Sequence, residues 1–250
     1  MRSGNICTRV TTLPQRVQSA TREIMRQLEK FDWSDLTPGR RNILDAFLKL
    51  AGSMGYSAVS VRVLSSEVNL KAPSIYSHFP GGRDEIVAEA LRWHYYRFGI
   101  AVLEATNGCR TPEEFWDALV RLHVTRQLEL PESDLWDLVV AMDRLGQFLQ
   151  PEIRKEVYHW LTLCEALYEA AAEDMGYSEA KVKASIVMTL LNGAGSWCAW
   201  NGEKAHLDVC AQKAIAVSRN ILSAKEVAPD SATTKRKVAK SSRVRVDSPQ

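Results

Sequence analysis

Residues 40–79 read RRNILDAFLKLAGSMGYSAVSVRVLSSEVNLKAPSIYSHF, and the fold turns on how this stretch is arranged. Ile43, Phe47, Leu50 and Met54 recur at helical spacing, a stripe that a helix opening at Thr37-Pro38 buries on one face. Gly55 is a natural stop for that helix. A short second helix is expected after Ser60, with Val61, Leu64 and Val68 turned inward. Asn69 then falls where a tight turn needs a residue tolerant of positive φ. Residues 71–79 form a further short helix, which Pro80-Gly81-Gly82 breaks. In it Ile75 and Phe79 are one turn apart, so both anchor the helix in a small core. Lys71, Ser74 and Ser77 are left on the outside. Three helices of this size, with three or four residues between the last two, have helix-turn-helix proportions.

On the N-terminal side, Thr12-Leu13-Pro14-Gln15 has the order of a capping box with proline in the opening turn. Leu13, Val17, Ala20, Ile24, Leu28 and Phe31 follow at gaps of three and four, forming one apolar stripe. The opposite face carries Arg16, Arg22, Arg26 and Lys30. This extension, residues 1–36, either packs on the next domain with its basic face near phosphates or is a packed extra helix whose basic face is only solvated. A long helix resumes at about Arg83. From residue 111 the chain reads as a series of longer amphipathic helices, opened by a second capping box at Thr111-Pro112-Glu113-Glu114 and by Pro131 and Pro151. One helix is expected from Ser178 to about Cys198 and a last one from about Leu207 to Ala224. Residues 225–250 lack apolar periodicity and hold Lys235, Arg236, Lys237, Lys240, Arg243 and Arg245, the pattern of a disordered basic tail. No segment alternates in the manner of a strand, so the fold class expected is all-α. It divides into an extension (1–36), a helix-turn-helix domain (37–82), a larger helical domain (83–224) and the tail.

Composition narrows the function by exclusion. With 250 residues, 46% of them apolar, the chain has the material for a substantial core. The net charge of +2 carries no general attraction to nucleic acid, so any basic surface must be local. No apolar run of membrane-spanning length and no secretory signal is seen, which points to a cytoplasmic protein. The five cysteines are scattered without a C-x-x-C spacing, and the five histidines have no metal-ligand spacing. H-E-x-x-H, G-x-S-x-G, a P-loop and a complete dinucleotide fingerprint are all missing. No cofactor, metal or enzymatic activity is expected.

Ile43-Leu44-Asp45-Ala46, Gly55-Tyr56, Ser60-Val61-Arg62 and Ile75-Tyr76-Ser77-His78-Phe79 stand in an order and spacing that closely resemble the DNA-binding domain of the TetR/AcrR regulators. The resemblance implies a two-domain helical fold whose second domain binds a small molecule and dimerises. Carried over by motif position, Lys71, Ala72, Pro73 and Ser74 read base edges, while Tyr76 and His78 clamp phosphate or sugar. Ser60, Val61 and Arg62 lie against the DNA backbone, and Arg83 reaches a phosphate. A short helix of this kind fits the major groove, where base edges display a readable pattern. Two positions depart from the family: Asn69 stands where glycine is usual, and the link Phe79-Pro80-Gly81-Gly82-Arg83 is one residue longer, with arginine for lysine.

The larger domain is less diagnostic. Trp93, Trp116, Trp136, Met142 and Trp160, with His123 and His159 for polar contact, fall on helices that surround the family's pocket; plain core packing or a structural role is the alternative for each. Phe148–Arg154, Leu190-Leu191-Asn192-Gly193 and the Trp197/Trp200 pair loosely resemble regulators that sense acyl-CoA thioesters. A hydrophobic effector is therefore expected. Val182, Ile186, Leu190, Gly193, Ala194 and Trp197 line one helical face and Val209, Ala214, Val217 and Ile221 another, a candidate homodimer interface of four helices. The partners expected are a palindromic double-stranded operator, a small hydrophobic effector that releases it, and a second copy of the chain. A helical interaction protein without specific DNA binding is the competing reading.

Overall fold

The computed structural model describes residues 13–130 and 149–225, and every regular element among them is helical. They are α1 (Gln15–Leu28), α2 (Pro38–Met54), a 3₁₀ turn (Tyr56–Ala58), α3 (Val61–Glu67), α4 (Ala72–His78), α5 (Gly82–Thr106), α6 (Pro112–Glu129), α7 (Pro151–Asp174), α8 (Ala180–Asn192), α9 (Ala194–Trp197) and α10 (Lys204–Ser223). The all-α expectation holds. Residues 131–148, with Trp136 and Met142, and the basic tail lie outside the described residues.

Local chemistry sets the starts of the short helices. Thr37 caps α2, its hydroxyl accepting the Arg40 N–H at 3.2 Å, with Pro38 at the first helical position. Ser60 does the same for α3 through the Val63 N–H at 3.2 Å. At α6, the Thr111 hydroxyl accepts the Glu114 N–H at 3.1 Å as the box read from the sequence requires, while the Glu114 carboxylate reaches one residue further back and accepts the Arg110 N–H at 2.6 Å. The seven-residue α3 and α4 are too short to be stable alone and persist through packing, α4 without any side-chain cap at Lys71.

The head is a tripod. Ile43 and Phe47 of α2, Leu64 of α3, Ile75 and Phe79 around α4 and Ile86 of α5 are all buried in one core. The predicted α2 stripe is only part of what is buried. Leu44, Leu48 and Ala51 are buried as well, while Met54 is 47% exposed. The reason is that α2 is packed from two sides, against α5 and against α3 and α4, and its last turn overruns that core.

The remaining helices form the larger bundle. α10 lies along α6, where Arg219 grips Asp117 at 2.9 and 2.7 Å and the buried Trp116 indole donates to Ser218 Oγ at 3.0 Å. Lys183, buried on α8, donates to the Leu222 carbonyl at 2.9 Å and so satisfies the end of α10. The single helix expected over 178–198 is two: α8 stops at Asn192, Gly193 intervenes, and α9 adds one turn. The Trp197 indole folds back to donate to the Leu190 carbonyl at 2.8 Å, supplying a partner for a helix-end acceptor.

α1 packs on α7 and α5, within this bundle, away from the α3–α4 pair. Pro14 offers no capping side chain, and the orphan Val17 N–H is met instead by Asp174 Oδ2 at 3.0 Å. Arg16 pairs with Glu173 at 2.8 Å and Arg26 with Glu23. The extension is thus a packed extra helix.

Candidate functional site

α3 and α4 are joined by residues 68–71, and Asn69 turns the chain with φ 52°. Asn69 thereby supplies the left-handed geometry for which glycine is usual. Ile75 and Phe79 are completely buried, so α4 is fixed by its inner face. Its outer side carries exposed Lys71, Pro73, Tyr76 and Ser77, with Ala72, Ser74 and His78 half-buried. Tyr76 is 49% exposed, unusual for so large an aromatic with no core role. Pro73 is tolerated because it lies in the first turn of α4, where its missing N–H has no helical partner to lose. The His78 ring lies against Gly39 at the start of α2; a Cβ on Gly39 would come within 3.1 Å of it.

Ser60 and Arg62 are exposed at the entrance to α3, with Val61 half-buried between them. The Ser60 hydroxyl is already engaged as the helix cap. Arg83 is placed differently from a surface arginine. It donates to the Val59 carbonyl at 2.9 Å and the Tyr56 carbonyl at 2.8 Å, and its guanidinium lies 4.5 Å from the Tyr56 ring centroid. The extra link residue accounts for this: Gly82 adopts φ +67°, the chain turns early, and Arg83 is swung back beneath the α2–α3 turn. Burial pushes the Tyr56 hydroxyl above its ordinary value, and the Arg83 guanidinium beside it opposes part of that effect.

In the bundle, α5, α6, α7 and α8 surround a cavity of about 80 Å³. Tyr95, Phe98, Trp160, Leu161, Cys164 and Met188 give it apolar walls. His94, His123, Arg126, Gln127 and Asn192 are the polar groups at its border. Of the predicted ligand residues described, His123 and Trp160 line it. Trp93 and Trp116 are placed elsewhere: Trp93 donates to Asp45 Oδ1 of α2 at 2.9 Å, and Trp116 is sealed between α6 and α10. His94, Tyr95, Phe98 and Arg126 were not foreseen; on α5 aromatic residues fall at consecutive positions 93–96 and again at 98, so its pattern does not mark which face meets a cavity.

Burial holds both histidines neutral. His94 is pushed down to about 3, chiefly by burial and then by the charges of Arg126 and Arg97. His123 is pushed down to about 4 by burial, with Asn192 opposing. Its ring sits between Tyr168 Oη at 3.1 Å and Asn192 Oδ1 at 2.8 Å. A neutral ring donating from Nε2 meets the amide oxygen and leaves Nδ1 as an acceptor facing the Tyr168 hydroxyl, whose one proton is shared with the Leu119 carbonyl at 3.3 Å.

The candidate dimer residues are divided. Val182 and Ile186 are 57% and 51% exposed, and Leu190, Gly193, Trp197, Val217 and Ile221 are half-buried. Ala194 is fully buried within the chain. Val209, at 59%, is a further exposed large apolar side chain of the predicted interface on α10, while Ala214 beside it is fully buried within the chain. Among the described residues no helix is long and apolar enough to cross a membrane, and no cluster of His, Cys, Asp and Glu fits a metal ion.

Comparison with known proteins places this architecture. Residues 43–90, from α2 into α5, match the profile of the tetR family of bacterial regulatory proteins. The chain is 26% identical over 163 residues to the HTH-type transcriptional regulator LmrA of Bacillus subtilis (strain 168), covering 62% of this chain and 82% of the relative. A regulator from Saccharomonospora viridis, solved in complex with choline, is 21% identical with a TM-score of 0.58, over 70% of this chain and 93% of that one. AibR, solved in complex with isovaleryl coenzyme A and operator DNA, is 13% identical with a TM-score of 0.59, over 71% of this chain and 96% of that one. These two structures speak for the fold, and the 43–90 match for the head. Over residues 43–90 the chain is thus similar to the tetR family of bacterial regulatory proteins, and it shares the fold of these structures, an N-terminal helix-turn-helix followed by a C-terminal helical domain.

Proposed function

We propose that this regulator is a homodimeric repressor that holds a palindromic operator and is released by a small hydrophobic effector. The observation that carries the reading is the division of α4: Ile75 and Phe79 are locked in the core, while Lys71, Pro73, Tyr76 and Ser77 face outward. Residues 37–82 are the reading head. Lys71, Ala72, Pro73 and Ser74 meet base edges, and Tyr76, His78, Ser60, Val61 and Arg62 hold sugar and phosphate. Arg83 serves this head as a strut under the α2–α3 turn. Residues 83–224 bind effector and partner, and residues 225–250 add a basic tail.

A single helix-turn-helix has few contacts, so affinity requires two. Pairing through Val182, Ile186, Val209 and their half-buried neighbours sets two α4 helices about 34 Å apart, one turn of DNA. Effector then favours a head spacing that misses successive grooves, and by linkage DNA weakens effector binding equally. Isovaleryl coenzyme A in AibR and choline in the S. viridis regulator show how different the ligands of this fold are. An acyl thioester remains the candidate that the sequence resemblance proposes.

Gel shift and footprinting on DNA upstream of the chain's own gene test the head. Tyr76→Phe should weaken operator binding about fivefold, as expected for one hydrogen bond of about 1 kcal/mol, with an unchanged melting temperature. Wild-type affinity in that variant removes the clamp assignment, and a monomer at micromolar concentration in light scattering removes the two-fold arrangement.

A further inference from the structure

Two glycines of the head stand against the rings of His78 and Tyr76, and their role rests on the proposal that these rings hold sugar and phosphate. Tyr76 is 49% exposed and His78 half-buried, so neither is fixed by the core that locks Ile75 and Phe79. Each ring nevertheless has a support. His78 lies against Gly39 in the first turn of α2, where an added Cβ would fall 3.1 Å from both Cε1 and Nε2. Tyr76 lies against Gly82 at the start of α5, where an added Cβ would fall 3.3 Å from Cε1. Carbon atoms in ordinary contact stand about 3.5–4.0 Å apart, so each ring comes this close only because the residue facing it has no side chain.

Both supports are held by hydrogen bonds of their own. The turn that carries Gly39 is fixed by Thr37, whose hydroxyl accepts the Arg40 N–H at 3.2 Å and whose carbonyl accepts the Arg41 N–H at 3.0 Å. The Gly82 N–H donates to the Phe79 carbonyl at 2.9 Å, and the Gly81 N–H donates to Glu85 Oε2 at 2.7 Å. The positive φ of Gly82 is already a reason for glycine there. Gly39 has no such reason: it lies inside a helix, where alanine is the better residue. Its contact with His78 supplies one.

We infer that Gly39 and Gly82 are positioning residues for DNA binding, seating His78 and Tyr76 in their clamping orientation before the duplex arrives. Immobilising a free side chain on association costs about two- to tenfold in affinity, and a ring already seated loses less. The two seats come from separate elements, α2 before the reading helix in the chain and α5 after it, so α4 presents its backbone contacts only when both neighbours are in place.

The test uses the full chain and the DNA upstream of its own gene, with affinity from titration and stability from thermal melts. Gly39→Ala should keep the melting temperature or raise it, since alanine favours the helix and restricts the unfolded chain. Operator affinity should nevertheless fall about threefold, because His78 is displaced from its seat. A purely structural glycine would move stability and affinity together. In a His78→Ala background the same change should leave affinity untouched, the mark of one interaction shared by the pair. Gly82→Asn, which adds a Cβ but tolerates positive φ, should weaken binding in the wild type and not in a Tyr76→Ala background. The inference is overturned if Gly39→Ala binds operator as the wild type does, or if either glycine change costs as much without its ring as with it. If His78→Ala and Tyr76→Ala weaken binding while the glycine variants do not, only the seats fall. If removal of both rings leaves affinity unchanged, or the wild type binds no such DNA, the clamp reading falls and takes the seats with it.

Discussion

The helix-turn-helix head and the cavity of the bundle are both made of helices, yet they draw on the chain in opposite ways. The head is complete within about forty residues, and each of its determinants acts over a few positions: Thr37 and Ser60 as caps, Asn69 as the turn, Ile75 and Phe79 as anchors one turn apart. The cavity takes one or more side chains from each of four helices, from His94 on α5 to Asn192 at the end of α8. A local construction leaves a signature in the sequence that is hard to mistake. A distributed one does not, because each contributor alone is indistinguishable from a core residue. The two regions should therefore also fail differently.

The largest separation is expected from Phe79→Ala. The site is fully enclosed, and a truncation of this kind costs about 3–5 kcal/mol, a large share of what so small a core supplies. Operator binding should vanish while most helical signal and the binding of any effector remain. If calorimetry shows the whole chain melting as one unit, head and bundle form a single cooperative body and the contrast between them fails.

Acid should strike the other region first. His94 and His123 are held neutral inside the bundle with values of about 3 and 4, against an ordinary 6.5. Between those values the unfolded chain binds more protons than the folded one, so their contribution is fully present above pH 6.5 and is lost as pH falls towards 4 and 3. Melting temperature should drop across this window, and His123→Gln should flatten the slope. An equal slope in that variant would assign the acid sensitivity elsewhere.

Arg83 offers a sharper test within the head. Replacing it with methionine leaves the Val59 and Tyr56 carbonyls without their donor, at a cost of about 1–3 kcal/mol. As a strut, Arg83 should alter melting temperature and leave the salt dependence of operator binding unchanged; a direct phosphate contact would instead reduce the slope of log affinity against log salt by about one. Least is expected of Ser60→Ala, about 1 kcal/mol from the lost cap of α3. If operator affinity falls far more than stability does, Ser60 also touches DNA.

The link Phe79–Arg83 shows where local reading runs out even in the head. From the sequence, an arginine replaces a lysine one position late and still reaches a phosphate. In the structure the added residue lets Gly82 turn with positive φ, and the guanidinium is captured by carbonyls at Tyr56 and Val59. Nothing in five consecutive residues reveals acceptors more than twenty positions away. The same holds for α8 and α9, where apolar periodicity runs past Gly193 but the Trp197 indole folds back on Leu190.

The sequence alone determined the all-helical class, the helix starts at Thr37, Ser60 and Thr111, the tight turn at Asn69 and the inner face of α4, because each depends on backbone geometry and neighbours three or four residues apart. Only the tertiary structure decided that α1 joins the bundle, that Trp93 turns to Asp45, and that Arg126 and Trp160 border a cavity with His94 and His123. Those outcomes depend on which of several apolar faces meets which, and on where a buried donor finds its acceptor. Such choices are settled by the close packing of distant segments, which periodicity within any one segment does not encode.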